Sequence, residues 1–125
     1  MLLDTNIFIY ACQPGGEWLA PWTENPAAAM ASVSRVEALG FPGMSEGEDA
    51  AIRRFLGASL CYPLDDGIIE RAIGLRRIKR MGTCDAIIAA TALEFGLPLV
   101  TRKVGDFKHI AGLELINPFA EPESA

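Results

Sequence analysis

Four carboxylates, Asp4, Glu37, Asp85 and Asp106, stand where short apolar runs give way to polar residues or where a helical pattern begins. Asp4 follows Leu2-Leu3, and Glu37 lies just beyond the apolar stretch Ala27 to Val33. Asp85 opens a long apolar segment, and Asp106 sits in the polar residues after Leu97-Pro98-Leu99-Val100. In a fold of alternating strands and helices, groups at the carboxyl ends of strands converge on one crevice. Carboxylates brought together there repel one another and shift their pKa values, a costly arrangement unless a cation sits between them. Donors that are all oxygen select a hard ion such as Mg²⁺ or Mn²⁺ over zinc.

Each acid also has a purely structural alternative. Asp4 can cap the helix that follows it, Glu37 can be the return half of a capping box with Ser34, Asp85 can be a first-turn acid favoured by the helix dipole, and Asp106 can be a turn residue after Gly105. Taken singly, none of the four decides between the two readings.

The elements that position them follow from apolar spacing. Leu2-Leu3 reads as a strand passing through the polar Asp4-Thr5-Asn6 into a short helix, and Glu17 to Trp22 as a second short helix limited by Pro21. Ala27 to Val33 reads as a buried strand, followed by a helix with Ser34 at its start. Ser45-Glu46-Gly47-Glu48 repeats that start pattern ahead of Ile52, Phe55 and Leu56 at helical spacing. After a brief strand at Leu60 to Leu64, Asp65-Asp66 caps a helix running to about Arg80, with Ile69, Ile73 and Ile78 inward and Arg71, Arg76, Arg77, Lys79 and Arg80 in solvent. Thr83 to Phe95 is apolar almost all round and predicts a central buried helix with Gly96 as its C-cap. Leu97 to Val100 and Leu113 to Ile116 read as strands joined by a polar loop over Thr101 to Lys108. Strands alternating with helices predict an α/β sandwich around a mostly parallel sheet, with residues 1–119 forming one domain and 120–125 a short loose tail.

Composition narrows the setting. The 125 residues have room for one core. A net charge of -5 excludes a wholesale electrostatic grip on nucleic acid, though not a local one assisted by a metal. Cys12, Cys61 and Cys84 are odd in number, far apart and without a Cys-x-x-Cys pair, which suits reduced thiols in the cytoplasm. No basic leader precedes Asp4 and no apolar run approaches a bilayer span, so no membrane association is expected.

Five segments taken together carry a resemblance. Leu2-Leu3-Asp4-Thr5-Asn6, Ser32-Val33-Ser34-Arg35-Val36-Glu37-Ala38-Leu39, Asp85-Ala86-Ile87-Ile88-Ala89-Ala90-Thr91-Ala92, Leu99-Val100-Thr101-Arg102 with Asp106-Phe107, and Asn117-Pro118-Phe119 are similar in order and spacing to the PIN domains of VapC-type toxins. The resemblance implies a PIN-like sandwich and a Mg²⁺- or Mn²⁺-dependent endoribonuclease, with the acidic metal ligands mapping onto Asp4, Glu37 and Asp85. Asp106 would complete the shell or support a second ion. It also implies an RNA substrate, a small antitoxin partner and a homodimer. Many relatives carry Asn or Asp directly after the Thr-Arg pair, where this chain has Lys103, which cannot ligate a metal and can instead contact phosphate or partly neutralise the acids.

Phosphodiester hydrolysis needs an activated water, charge relief on the phosphoryl oxygens and a stabilised leaving oxygen, all of which a bound divalent ion supplies. Asp4 and Asp85 would be its principal ligands, with Glu37 holding a water or acting as base. Thr5, Asn6 and Thr101 would orient waters or phosphate around them. Arg35, Arg102, Lys103 and Lys108 are the candidate basic rim, whereas the run Arg76 to Arg80 reads more simply as a solvated helix end. His109 is read as a surface or substrate-contact residue. Trp18, Trp22, Phe41, Met44 and Phe55 are available either to the core or to a protein partner. The rival reading is a PIN-fold RNA- or protein-binding module impaired in catalysis by Lys103. A response-regulator receiver lacks its paired acids and acceptor here, and a haloacid-dehalogenase-type phosphatase lacks a second aspartate where Asn6 stands.

Overall fold

The first strand, β1, is Leu2–Leu3, and its two side chains set the layering. Successive strand side chains point to opposite faces. Leu2 therefore enters one apolar cluster with Ala29, Ala31 and Leu99, while Leu3 enters a second with Met30 and Val100. The computed structural model, which describes residues 1–120, sandwiches the sheet between helices on both faces. Strands β2 (Ala29–Ala31), β3 (Leu60–Tyr62), β4 (Leu99–Val100) and β5 (Leu115–Ile116) complete it in the order β3-β2-β1-β4-β5. Every neighbouring pair is parallel, so the expected mostly parallel sheet is parallel throughout.

Helices α1 (Thr5–Cys12), α3 (Val33–Leu39) and α4 (Glu46–Gly57) lie against the Leu3 face. They are joined there by a 3₁₀ turn at Glu17–Leu19 and a single turn α2 (Ala20–Thr23). Gly16 precedes that turn because a Cβ there would lie 2.0 Å from the Tyr10 carbonyl oxygen. Helices α5 (Asp66–Ile78) and α6 (Thr83–Glu94) cover the other face. The nearly all-round apolar character of α6 is matched by burial of Ala86, Ile88, Ala89, Ala90, Thr91 and Ala92, and Gly96 ends the segment at φ +62°. No helix among the described residues is long and apolar enough to cross a membrane.

Several expectations are corrected. Strand β2 stops at Ala31, and Val33 begins α3 instead of ending the strand. Helix α5 ends at Ile78 because Lys79 is extended, and it buries Ile68, Ala72 and Leu75, whereas Ile69, Ile73 and Ile78 are exposed. Both sets obey helical spacing; the buried one carries the small Ala72, which lets α5 lie close to the alanine-rich α6. The expected loop over Thr101 to Lys108 contains a single helical turn, α7 (Val104–Phe107), fixed by the fully buried Phe107. The start pattern at Ser45 holds as read: Ser45 Oγ accepts from Glu48 N and pairs with the Glu48 carboxylate. Of the tail expected at 120–125, residues 121–125 lie outside the described residues.

Candidate functional site

Asp4 occupies the turn between β1 and α1, at the carboxyl end of the central strand. Its backbone N–H donates to the Val100 carbonyl as the last rung of the β1–β4 ladder. The structural and functional readings of this residue divide between its two oxygens. Oδ1 accepts the Thr5 N–H at 2.8 Å and caps α1; Oδ2 accepts the Thr101 hydroxyl at 2.7 Å and faces the site. Thr101 leaves β4 beside Asp4, and its Oγ1 in turn accepts the Lys103 backbone N–H at 3.0 Å. Burial pushes the Asp4 carboxyl above the usual aspartate value; the Thr101 hydroxyl and the Lys103 charge oppose that, and the Asp85 charge adds to it.

Asp85 enters from the other side of the crevice, in the first turn of α6. The Lys103 ammonium lies between the two aspartates, donating to Asp85 Oδ1 at 2.8 Å and standing 4.0 Å from Asp4 Oδ2. Burial alone would depress the Lys103 pKa, but the hydrogen bond to Asp85 and the charges of Asp4, Asp85 and Asp106 outweigh it and hold the ammonium above the ordinary lysine value.

Glu37 reaches the site from α3 through Thr5. Thr5 Oγ1 lies 2.6 Å from Glu37 Oε1 and 2.8 Å from Ser34 Oγ. With its one proton donated to the carboxylate, Thr5 receives a hydrogen bond from Ser34. This removes the capping box expected at Ser34. The N-cap of α3 is Ser32, whose hydroxyl accepts from Leu64 N, and Ser34 is a fully buried helical residue. Glu37 is thus free of any capping duty and partly exposed toward the crevice. Ser34 and Cys84 are the neighbours that sequence reading missed. Burial, followed by the charges of Glu37 and Asp85, pushes the Cys84 thiol above its ordinary pKa and keeps it a neutral neighbour of the acids.

The remaining candidates are spread around this centre. Asp106 lies on α7, exposed, and shares no hydrogen bond with Asp4, Glu37 or Asp85; its charge reaches the site through Lys103. Asn6 is in the first turn of α1 and partly exposed. Arg102 is held by aromatic rings, 4.5 Å from the centroid of Phe119 and 5.5 Å from that of Tyr10. Arg35 and Lys108 are exposed, as is the run from Arg76 to Arg80. His109 is partly buried, and among the described residues neither ring nitrogen has a hydrogen-bond partner. Among the described residues no three His, Cys, Asp or Glu side chains are close enough to share one ion as they stand.

The sequence matches the family model described as "PIN domain" over residues 1–113. The chain belongs to the PIN domain family. Among solved structures, this PIN domain is similar to a toxin-antitoxin complex from Klebsiella pneumoniae, with 29% identity, 94% of this chain and 97% of that chain covered, and a TM-score of 0.77. VapBC2 from Rickettsia felis, solved bound to a DNA fragment from its promoter, is 24% identical over 93% of this chain and 96% of that chain, with a TM-score of 0.78. VapBC-1 from nontypeable Haemophilus influenzae is 23% identical over 93% and 96% of the two chains, with a TM-score of 0.70. At those lower identities the last two bear on the fold alone. A comparison with curated proteins finds no match.

Among the described residues, the oxygen donors that face one another are those of Asp4 and Asp85. Asp4 and Asp85 present oxygen donors across a gap already bridged by a positive charge, and burial makes the charged form of Asp4 costly. The donors fit a hard cation; Lys103 is the feature such an ion would have to accommodate.

Proposed function

We propose that this PIN domain is a Mg²⁺- or Mn²⁺-dependent endoribonuclease acting in the cytoplasm as the toxin of a VapBC-type toxin–antitoxin pair. The observation that carries the reading is the buried Asp4 facing Asp85 across the carboxyl edge of the parallel sheet. Asp4 and Asp85 hold the metal, which when bound supplies charge relief at the phosphoryl group and activates water. Glu37, oriented by Thr5, takes a proton from the attacking water. Thr101 fixes the orientation of Asp4, Asn6 orients water or phosphate at the start of α1, and Asp106 contributes negative charge or a further ligand from α7. Arg35, Arg102, Lys103 and Lys108 contact RNA phosphates around the rim.

The partner reading rests on the surface as well as on the solved toxin-antitoxin neighbours. Phe41 and Met44, with Ile9, Cys12, Ala51 and Ile52, line an open groove of about 440 Å³ between α1 and α4, and Trp18 is also exposed. This groove would take an apolar antitoxin segment, and the exposed Ile69 and Ile73 on α5 would offer an apolar face to a second copy. Trp22 and Phe55, by contrast, pack against the core cluster on the Leu3 face.

Purified protein incubated with single-stranded RNA is expected to cut internally in Mg²⁺ or Mn²⁺ and to stop in EDTA. RNA bound but left intact at saturating metal favours the second reading, a catalytically impaired binding module, for which the ammonium already lodged between the aspartates is the motive.

A further inference from the structure

Asp4 and Asp85 together bring two negative charges to one crevice, and the side chain that lies between them is the chain's own Lys103. Its placement is set from both ends. The backbone N–H of Lys103 bonds Thr101 Oγ1, and that same hydroxyl donates to Asp4 Oδ2, so the residue is anchored to the group whose charge it offsets. The ammonium then reaches across to Asp85 Oδ1 at 2.8 Å. The stem passes the buried Phe107, with Nζ 5.8 Å from the ring centroid, yet the side chain keeps 34% of its surface in solvent. The side chain is therefore only partly enclosed, and the head group is held chiefly by its contacts with Asp85 and Phe107.

We propose that Lys103 is a tethered counter-cation holding the position between Asp4 and Asp85 that a divalent ion must take, so that metal enters only by exchange with the lysine ammonium. This rests on the metal site named above and adds a control on it. Without metal, Lys103 relieves the repulsion of the two carboxylates and keeps the crevice formed. With metal, the ammonium leaves for the solvent side, because a +1 head group and a divalent ion within a few ångströms repel strongly at this degree of burial. The protein thereby binds its metal less tightly than the same acids would without Lys103.

Mn²⁺ binding, read by the loss of the free-ion electron paramagnetic resonance signal, tests this in the full chain without any RNA. Lys103→Met keeps the stem and removes the charge; Lys103→Arg keeps the charge. Lys103→Met is expected to bind Mn²⁺ on the order of tenfold more tightly than the wild type, with Lys103→Arg close to the wild type. Melting in EDTA supplies the second arm: Lys103→Met melts below the wild type, and Mn²⁺ raises its melting temperature by more than it raises the wild type's. Equal or weaker Mn²⁺ binding by Lys103→Met overturns the proposal, because lysine and metal then coexist, and leaves the metal site standing if Asp85→Asn still lowers affinity. If neither protein binds Mn²⁺, the metal site itself fails and the proposal falls with it.

Discussion

Asp85→Asn is expected to abolish metal-dependent RNA cleavage, with a loss of at least about 10²–10³-fold, the scale seen when one group stabilising transition-state charge is removed. Asparagine keeps the size of the side chain and one carbonyl oxygen for the Lys103 ammonium, so the loss reports the missing charge and not a cavity. Asp4→Asn should remove activity to the same degree, and its stability arm has a definite sign. The folded-state pKa of Asp4 lies above its ordinary value, so the stability it contributes is fully present below that ordinary value and is lost as pH rises through the raised one. Asparagine mimics the protonated form. The metal-free Asp4→Asn protein should accordingly be no less stable than the wild type at neutral pH, while full cleavage retained by this variant would place the chemistry elsewhere. Asp106→Asn should cost much less, since Asp106 is exposed and its charge reaches the site through Lys103.

The second large effect is expected at Glu37. Its carboxylate accepts the Thr5 hydroxyl at 2.6 Å and caps no helix, because Ser34 is bonded to Thr5 and α3 begins a residue earlier. Glutamine retains an acceptor for Thr5 but cannot take a proton from water. Glu37→Gln should therefore lower the cleavage rate by about 10²-fold or more, the usual contribution of a general base, while the melting temperature barely moves. A drop in stability of about 1 kcal/mol with cleavage preserved would return Glu37 to a structural role.

How far the sequence revealed this arrangement depended on whether the signal was local. The buried helix α6 was readable because no polar face interrupts Ala86 to Ala92, and the Ser45 capping box was readable because all its partners lie within four residues. Asp4 and Asp85 stood out by position, one after a strand and one at a helix start. The Ser34–Glu37 spacing imitated a capping box, whereas the bonds that use these residues run to Thr5, 29 and 32 positions away in sequence. The inward face of α5 was misjudged because two helical stripes, Ile69-Ile73 and Ile68-Ala72-Leu75, satisfy the same periodicity, and only the neighbour α6 chooses between them. Lys103 was recognisable as a departure, but the direction of its head group depends on Thr101 and Phe107 as well as on the acids. The two enclosed ring nitrogens of His109 had no local signature at all.

The central claim is that the acids at the carboxyl edge of the sheet form a metal-binding catalytic centre, and locating the ion tests it most directly. Anomalous diffraction from crystals of the wild type grown or soaked with Mn²⁺ is expected to give a peak in contact with the carboxylates of Asp4 and Asp85, with Glu37 facing it and the Lys103 ammonium withdrawn. A peak only at other residues, or none while Lys103 still bridges Asp4 and Asp85 at saturating Mn²⁺, would contradict the assignment.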